Sequence, residues 1–333
     1  MKDVAGIAGV SLATVSRVVN GNADVTPELA ARVHEAVDLL GFRRDHTASS
    51  LRRSDRVSST LGIVLEDVSN PFFASVYRGV EEVARERGVL TLAGSSDQEP
   101  ARERALCEAF ASRRVDGLIV ARCGEDQSYL QAERRAGLPL VFVDRPPRFI
   151  DGDAVVSDNA GGARIAVEHL LARGHRRIGF IGDRETIHTA AERLRGYRAA
   201  LAAAGIEADP LLIKTGVSTS ERADAAARAL LRPVPTALFT AQNLITIGAL
   251  RALRELGLQH RTALVGFDDI MLGDLLEPGV TVIAQDPRAI GRRAAELLFS
   301  RLDGFAGTTR QVMIATALIE RGSGELPPQA SSS

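Results

Sequence analysis

The sequence predicts a small all-α helix-turn-helix unit at its N-terminus, followed by a large α/β region folded as two similar lobes. Three observations carry this reading. Residues from Lys2 to Phe42 keep helical periodicity with short interruptions and show no alternating strand pattern. After Thr60, short apolar runs alternate with amphipathic helical stretches. The second half of the chain repeats the strand-helix rhythm of the first, which favours two lobes over one large sheet.

The chain has 333 residues and is 45% apolar, enough for a large core and two or three domains. A formal net charge of -1 gives no global attraction to polyanions, so any such binding has to come from a local patch. Cys107 and Cys123 have neither CxxC spacing nor a companion histidine cluster; they read as buried thiols in a reducing cytoplasm rather than a disulfide or a zinc site. No metal or cofactor is implied. The N-terminus lacks a signal-peptide pattern and no apolar run is long enough to cross a bilayer, so a cytoplasmic protein is expected.

In the first helix Val4, Ile7 and Ala8 are expected to form the buried side, with Ala5-Gly6 admitting a second helix closely and Gly9-Val10-Ser11 as the turn. On the second helix Val15, Val18 and Val19 pack inward, which leaves Leu12, Ala13, Thr14, Ser16, Arg17 and Asn20 facing out. Small hydroxyls can bond phosphate oxygens, and an arginine fork can reach N7 and O6 of guanine. A solvated helical hairpin is the alternative on pattern alone. Thr26-Pro27 opens the third helix over a stripe of Leu29, Val33, Val37 and Leu40, and Gly41 closes it.

Residues 43–59 are rich in Arg and Ser and nearly without apolar side chains, as expected of a linker or marginal helix. The runs "LGIVLED", "VLTLAGS", "DGLIVAR", "LPLVFVD", "RIGFIGD", "TALFTAQ", "ALVGFDD" and "VTVIAQD" suit parallel strands covered on both faces by helices such as 74–87 and 161–173. The tail, residues 325–333, is expected to be disordered.

The segment "MKDVAGIAGVSLATVSRVVNG" closely resembles the headpiece of the LacI/GalR family of bacterial transcription regulators, whose pattern reads D-V-A-x-x-A-G-V-S-x-x-T-V-S-R-V-L-N. The resemblance continues in the family's order through "VSNPFFASVYRGVEEVARERG", "VSDNAGGARIAVEHLLARGHRRIGFIG", "ERLRGYRAAL" and "TVIAQDPRAIGRRAAELL". It implies a helix-turn-helix headpiece at residues 1–43, a hinge at 44–59 and a periplasmic-binding-protein-like effector and dimerisation domain at 60–324. In that domain the N-lobe would take about 60–157 plus 286–313, and the C-lobe about 158–285 plus 314–324.

By position, Leu12, Ala13 and Arg17 would read bases, while Ser11, Thr14, Ser16 and Asn20 would hold the DNA backbone. Ala48 and Leu51 match the family's hinge positions, where a leucine wedges into the minor groove. Arg44-Asp45 replaces the usual Pro-Asn ahead of that hinge, and Ser49 replaces an Arg or Gln.

Two lobes of this architecture close around a small ligand, with polar groups expected at strand C-termini. Asp144, Arg193 and Asp268 match ligand-contacting positions of the family. An arginine beside two carboxylates can hold the vicinal hydroxyls of a sugar, which favours a polyhydroxylated effector over a purine. Phe72 and Phe73, placed in the loop after the first strand, would wall the ligand; His188 and Thr189 would add hydrogen bonds. Gln242 belongs to the same set, although Ala241-Gln242-Asn243 departs from the family's A-N-D. The alternatives are that Asp268 simply caps a following helix, that His188 is a solvated loop residue and that Arg193 is paired structurally.

The function implied is a repressor-type transcription regulator, a homodimer on a palindromic double-stranded DNA operator, controlled by a sugar-like small molecule and away from membranes. The helices "FASVYRGVEEVA" and "RALCEAFASRR" offer a dimer surface. A transport-type sugar-binding protein would need a signal peptide and have no use for residues 1–55. An enzyme is disfavoured because no GxGxxG, Walker-type loop or nucleophile elbow is present.

Overall fold

The computed structural model describes residues 1–19, 25–42, 58–231 and 235–329. Asn20, Ala48 and Leu51 lie outside them. The chain divides into two compact units, Met1–Ser58 and Ser59–Ser333.

The first unit holds helices α1 (Lys2–Ala8), α2 (Leu12–Val19) and α3 (Pro27–Leu39) around a core of Val4, Ala8, Val15, Val18, Val33 and Ala36. Gly9 ends α1 in the left-handed conformation at φ 62, and Val10 N–H donates to Ala5 C=O. Ser11 caps α2: its Oγ accepts from Thr14 N–H at 3.1 Å. Gly41, at φ 56, closes α3; Gly41 N–H bonds Asp38 C=O while Phe42 N–H reaches back to Val37 C=O. Three expectations need correction. Ile7 is 52% exposed, and Leu40 likewise faces outward, because these short helices have room for only two or three inward positions each. A Cβ added at Gly6 would meet open space, so among the described residues no helix packs closely there. Arg32 instead links helices, donating to Ala8 C=O at 2.6 Å and thereby capping α1 from α3.

In the second unit, β1 (Thr60–Leu65), β2 (Leu90–Ser95), β3 (Gly117–Val120), β4 (Leu140–Val143), β5 (Asp153–Ser157) and β11 (Gln311–Ile314) form one sheet in the order β11-β5-β4-β3-β1-β2. All its pairings are parallel. The second sheet, ordered β12-β10-β9-β8-β6-β7, contains β6 (Ile178–Ile181), β7 (Ile213–Lys214), β8 (Ala237–Thr240), β9 (Ala263–Phe267), β10 (Thr281–Ala284) and β12 (Ala317–Ile319). Only the edge strand β12 runs antiparallel. Central strands such as β3, β4 and β8 are buried at every residue, as their unbroken apolar runs require.

Helices cover both faces of each sheet: α4 (Pro71–Glu86), α5 (Pro100–Ser112), α6 (Gln131–Arg135) and α11 (Pro287–Leu302) in the N-lobe, α7 (Asn159–Ala172), α8 (His188–Ala203), α9 (Ser220–Leu230) and α10 (Asn243–Glu255) in the C-lobe. The chain passes between lobes three times, after β5, after β10 and after β11. Asn70 starts α4 earlier than its periodicity suggests: its side chain accepts from Phe72 N–H, so Phe72 and Phe73 sit in the first helical turn, not in a loop. Helices α4 and α11 cross on facing glycines, Gly79 and Gly291, whose Cα atoms lie against each other's backbone. In α4 and α5, the helices offered as a dimer surface, Val76, Val80, Cys107 and Phe110 are buried in the N-lobe cores.

The tail is ordered further than expected. Glu325 bonds His169 Nε2 at 2.7 Å and accepts from Thr281 Oγ1 at 2.7 Å, while His175 Nε2 meets Leu326 C=O at 2.8 Å. These buried partners tie the segment to the C-lobe through Gln329; residues 330–333 lie outside the described residues. His169, Glu320 and Glu325 lie together, with Glu320 paired to Arg173.

Candidate effector cleft and headpiece surface

On α2, Leu12, Ala13 and Arg17 are exposed, whereas Thr14 and Ser16 are half-buried. Exposure follows the 3.6-residue period set by Val15 and Val18, which leaves one polar stripe. Ser11 Oγ and Thr14 Oγ1 lie 2.9 Å apart and bond each other, so these two hydroxyls shape the helix start as well as facing solvent.

In the second unit the C-terminal ends of both sheets converge on a polar cleft. Asp144 follows β4 and Asp268 follows β9, at matching positions of the two lobes. Both adopt left-handed backbone, φ 67 and φ 70. Each donates its N–H across to the neighbouring strand, Asp144 to Val155 C=O at 3.0 Å and Asp268 to Ile283 C=O at 2.9 Å. Holding an aspartate in this region costs on the order of 1 kcal/mol, and in return turns each carboxylate inward from its strand end.

Arg193, on the first turns of α8, is fully enclosed. Its Nε bonds Asn159 Oδ1 at 2.7 Å, NH1 bonds Ala241 C=O at 2.8 Å, and Asp268 Oδ2 lies 3.7 Å from NH1. Its guanidinium stacks 3.8 Å over the Phe267 ring. On the N-lobe side Arg145 pairs with Glu66 and with Asp144, the latter at 3.2 Å. Burial pushes the Asp144 carboxyl above its usual range, against the pull of Arg145 and Arg193. Gln285 donates to Asp268 Oδ1.

Among the described residues two side-chain hydrogen bonds join the lobes across the cleft: Asn243 Nδ2 donates to Asn70 Oδ1 at 2.9 Å, and Arg184 NH2 to Gln98 Oε1. A cavity of about 470 Å³ opens beside them, lined by Glu66, Asn70, Gln98, Arg184, Arg222 and Gln242 among others. Gln242 Oε1 is buried there without a hydrogen-bond partner among the described residues. Thr189 is buried and His188 half-buried at the start of α8. Phe73 is part of the N-lobe core rather than a wall of the cleft, since α4 turns it against β1; Phe72 packs half-buried on the same core. The structure thus brings together Asp144, Arg193 and Asp268. It adds Glu66, Arg145, Asn159 and Gln285, which sequence reasoning missed; "LED" and "VDR" at two strand ends were the available signals.

A helix-turn-helix unit joined in sequence to a two-lobed unit with a charged, hydrogen-bonding cleft is the layout of a ligand-controlled DNA-binding protein. Comparison with known proteins agrees. Residues 1–45 match the family described as bacterial regulatory proteins, lacI family, and residues 167–324 match a periplasmic binding protein-like domain. The HTH-type transcriptional regulator CelR of Thermobifida fusca is 34% identical over 330 residues, covering 96% of this chain and 97% of its own length. A solved transcriptional regulator CelR-cellobiose complex is similar at 32% identity with a TM-score of 0.72, over 97% of this chain and 98% of that one. A lac repressor dimer bound to operator and the anti-inducer ONPF is similar at 25% identity with a TM-score of 0.84, over 97% and 98% of the two chains. The chain belongs to the LacI family of bacterial transcriptional regulators. Among the described residues no helix is long and apolar enough to cross a membrane.

Proposed function

We propose that this regulator represses transcription as a homodimer on a palindromic operator, and that a polyhydroxylated small molecule held between its lobes sets its DNA affinity. The observation that carries the ligand class is the buried set of Asp268, Arg193 and Asp144 at the cleft: carboxylates accept paired hydroxyls while the guanidinium donates to ring and hydroxyl oxygens. The CelR-cellobiose complex among its relatives supports a sugar. In this reading Leu12, Ala13 and Arg17 read bases in the major groove, and Ser11, Thr14, Ser16 and Asn20 hold the backbone. Ala48 and Leu51 act in the hinge, and Phe72, His188, Thr189 and Gln242 border the ligand.

A thermal-shift screen of sugars and polyols finds the ligand, since a compound at 100 times its Kd adds about 2.7 kcal/mol to stability. Asp268→Asn is then expected to keep operator affinity, read by anisotropy of a labelled duplex, and to lose the ligand's effect on it. A ligand response undiminished in this variant would put the site elsewhere.

For the dimer, the loop after Asp268 exposes Met271 at 81%, Leu272 at 61% and Leu275 at 73%, a concentration of apolar surface that calls for a partner. The dimeric lac repressor among its structural neighbours supports a second copy as the occupant. Changing Leu272 and Leu275 together to Glu is expected to yield monomers in sedimentation and to weaken operator binding, because a palindrome is read by two headpieces. A variant that stays dimeric would place the interface on another face.

A further inference from the structure

We infer that the effector carries an anionic group, a carboxylate or a phosphate, and that Arg122 selects for it; this rests on the cleft reading above. Arg122 follows β3 at the same end of the N-lobe sheet as Glu66 after β1 and Asp144 after β4. Its exposure is 4%. A guanidinium carries five N–H donors, and here backbone carbonyls take two: Nε donates to Pro146 C=O, and NH1 to Gly124 C=O at 2.9 Å. Three buried arginines occur among the described residues, Arg122, Arg145 and Arg193. Arg145 has Glu66 and Asp144 as counter-charges, and Arg193 has Asp268. Arg122 has no carboxylate within ion-pair distance among the described residues; Glu125 and Glu103 act on it only from farther away, and burial outweighs them. A buried cation in that position is held at a free-energy cost that a bound anion removes.

The opposite wall supplies a second feature of the same sign. Helix α8 begins after Ile187, which provides no side-chain cap, and the N–H groups of His188, Thr189 and Ala190 make no hydrogen bond among the described residues. This sixteen-residue helix presents its positive end there. The His188 ring lies within the field of Arg122 and Arg145 of the other lobe. Burial lowers its pKa; Glu192 opposes this and the two arginines add to it. Neutral His188 therefore offers a hydrogen bond without an extra charge. A guanidinium without an ion-pair partner on one lobe and free helix N–H groups on the other suit one oxyanion between them, which a neutral sugar lacks.

The test is calorimetry on the full chain with sugar acids such as D-gluconate and sugar phosphates such as D-glucose 6-phosphate, each against its neutral parent, repeated with R122Q and R122K. An anionic compound is expected to bind about tenfold or more tighter than its parent. That preference should vanish in R122Q and persist in R122K, with unfolding curves confirming that both variants fold. Which anionic arm binds distinguishes carboxylate from phosphate. A neutral parent binding as well as its anionic forms would overturn the inference while leaving the polyhydroxylated reading intact, and so would a preference retained in R122Q. Binding by none of the compounds would overturn both.

Discussion

Arg193→Ala is expected to lower stability by about 3–5 kcal/mol and to abolish effector binding in the same step. The guanidinium bonds Asn159 and the Ala241 carbonyl, pairs with Asp268 and stacks on Phe267, so truncation strands a buried carboxylate and leaves a void over an aromatic ring. Removing one partner of a buried charge pair is far more damaging than replacing both. Arg193→Ala combined with Asp268→Asn should therefore recover part of the lost stability without recovering ligand response. Urea unfolding and ligand-induced thermal shift, measured on the same preparations, check both halves. A single variant within about 1 kcal/mol of the parent would show that Arg193 is not the electrostatic centre of the cleft.

Gly291→Ala is expected to destabilise the N-lobe by about 3 kcal/mol, the upper end for inserting one methyl into a packed interior. An added Cβ would lie 2.0 Å from the Val76 carbonyl oxygen and 3.0 Å from Val80 N, both backbone atoms that cannot swing aside. The reciprocal position, Gly79, sits 2.2 Å from the Arg288 carbonyl oxygen by the same measure, so α4 and α11 would have to part along their whole contact. Gly88→Ala, where the Cβ meets open space, provides the contrast: its cost comes only from left-handed backbone at φ 67. Denaturant midpoints for the two variants should differ in that order, and equal midpoints would refute the close helix crossing.

Much of the fold is legible because its strands are buried on both faces and so read as unbroken apolar runs. The strands that sequence reasoning missed are those where this signal fails. β7 is two residues long, β11 and β12 are edge strands of mixed burial, and β5 hides behind the charged Asp153, which is buried only because Arg301 and Arg310 pair with it. Long-range pairing of that kind leaves no periodic trace. The cleft shows the same division. Asp144, Arg193 and Asp268 could be reached through resemblance to a family, whereas Glu66, Arg145 and Arg122 acquire meaning only once the strand ends are side by side. The ordering of Glu325 was invisible for a similar reason, since its partners His169 and Thr281 are distant in the chain.

The three chain passages between the lobes put the proposed ligand site beside a pivot. Asn159, which holds Arg193, begins the helix just after the first passage, and Gln285, which holds Asp268, lies within the second. Asp158 N–H bonds Ile314 C=O, so the first and third passages run next to each other, and lobes tied by several such connections move by bending and twisting about them. A ligand that contacts residues beside those passages would act on the short arm of a lever, so that a small rotation at the cleft becomes a larger displacement at the far ends of the lobes.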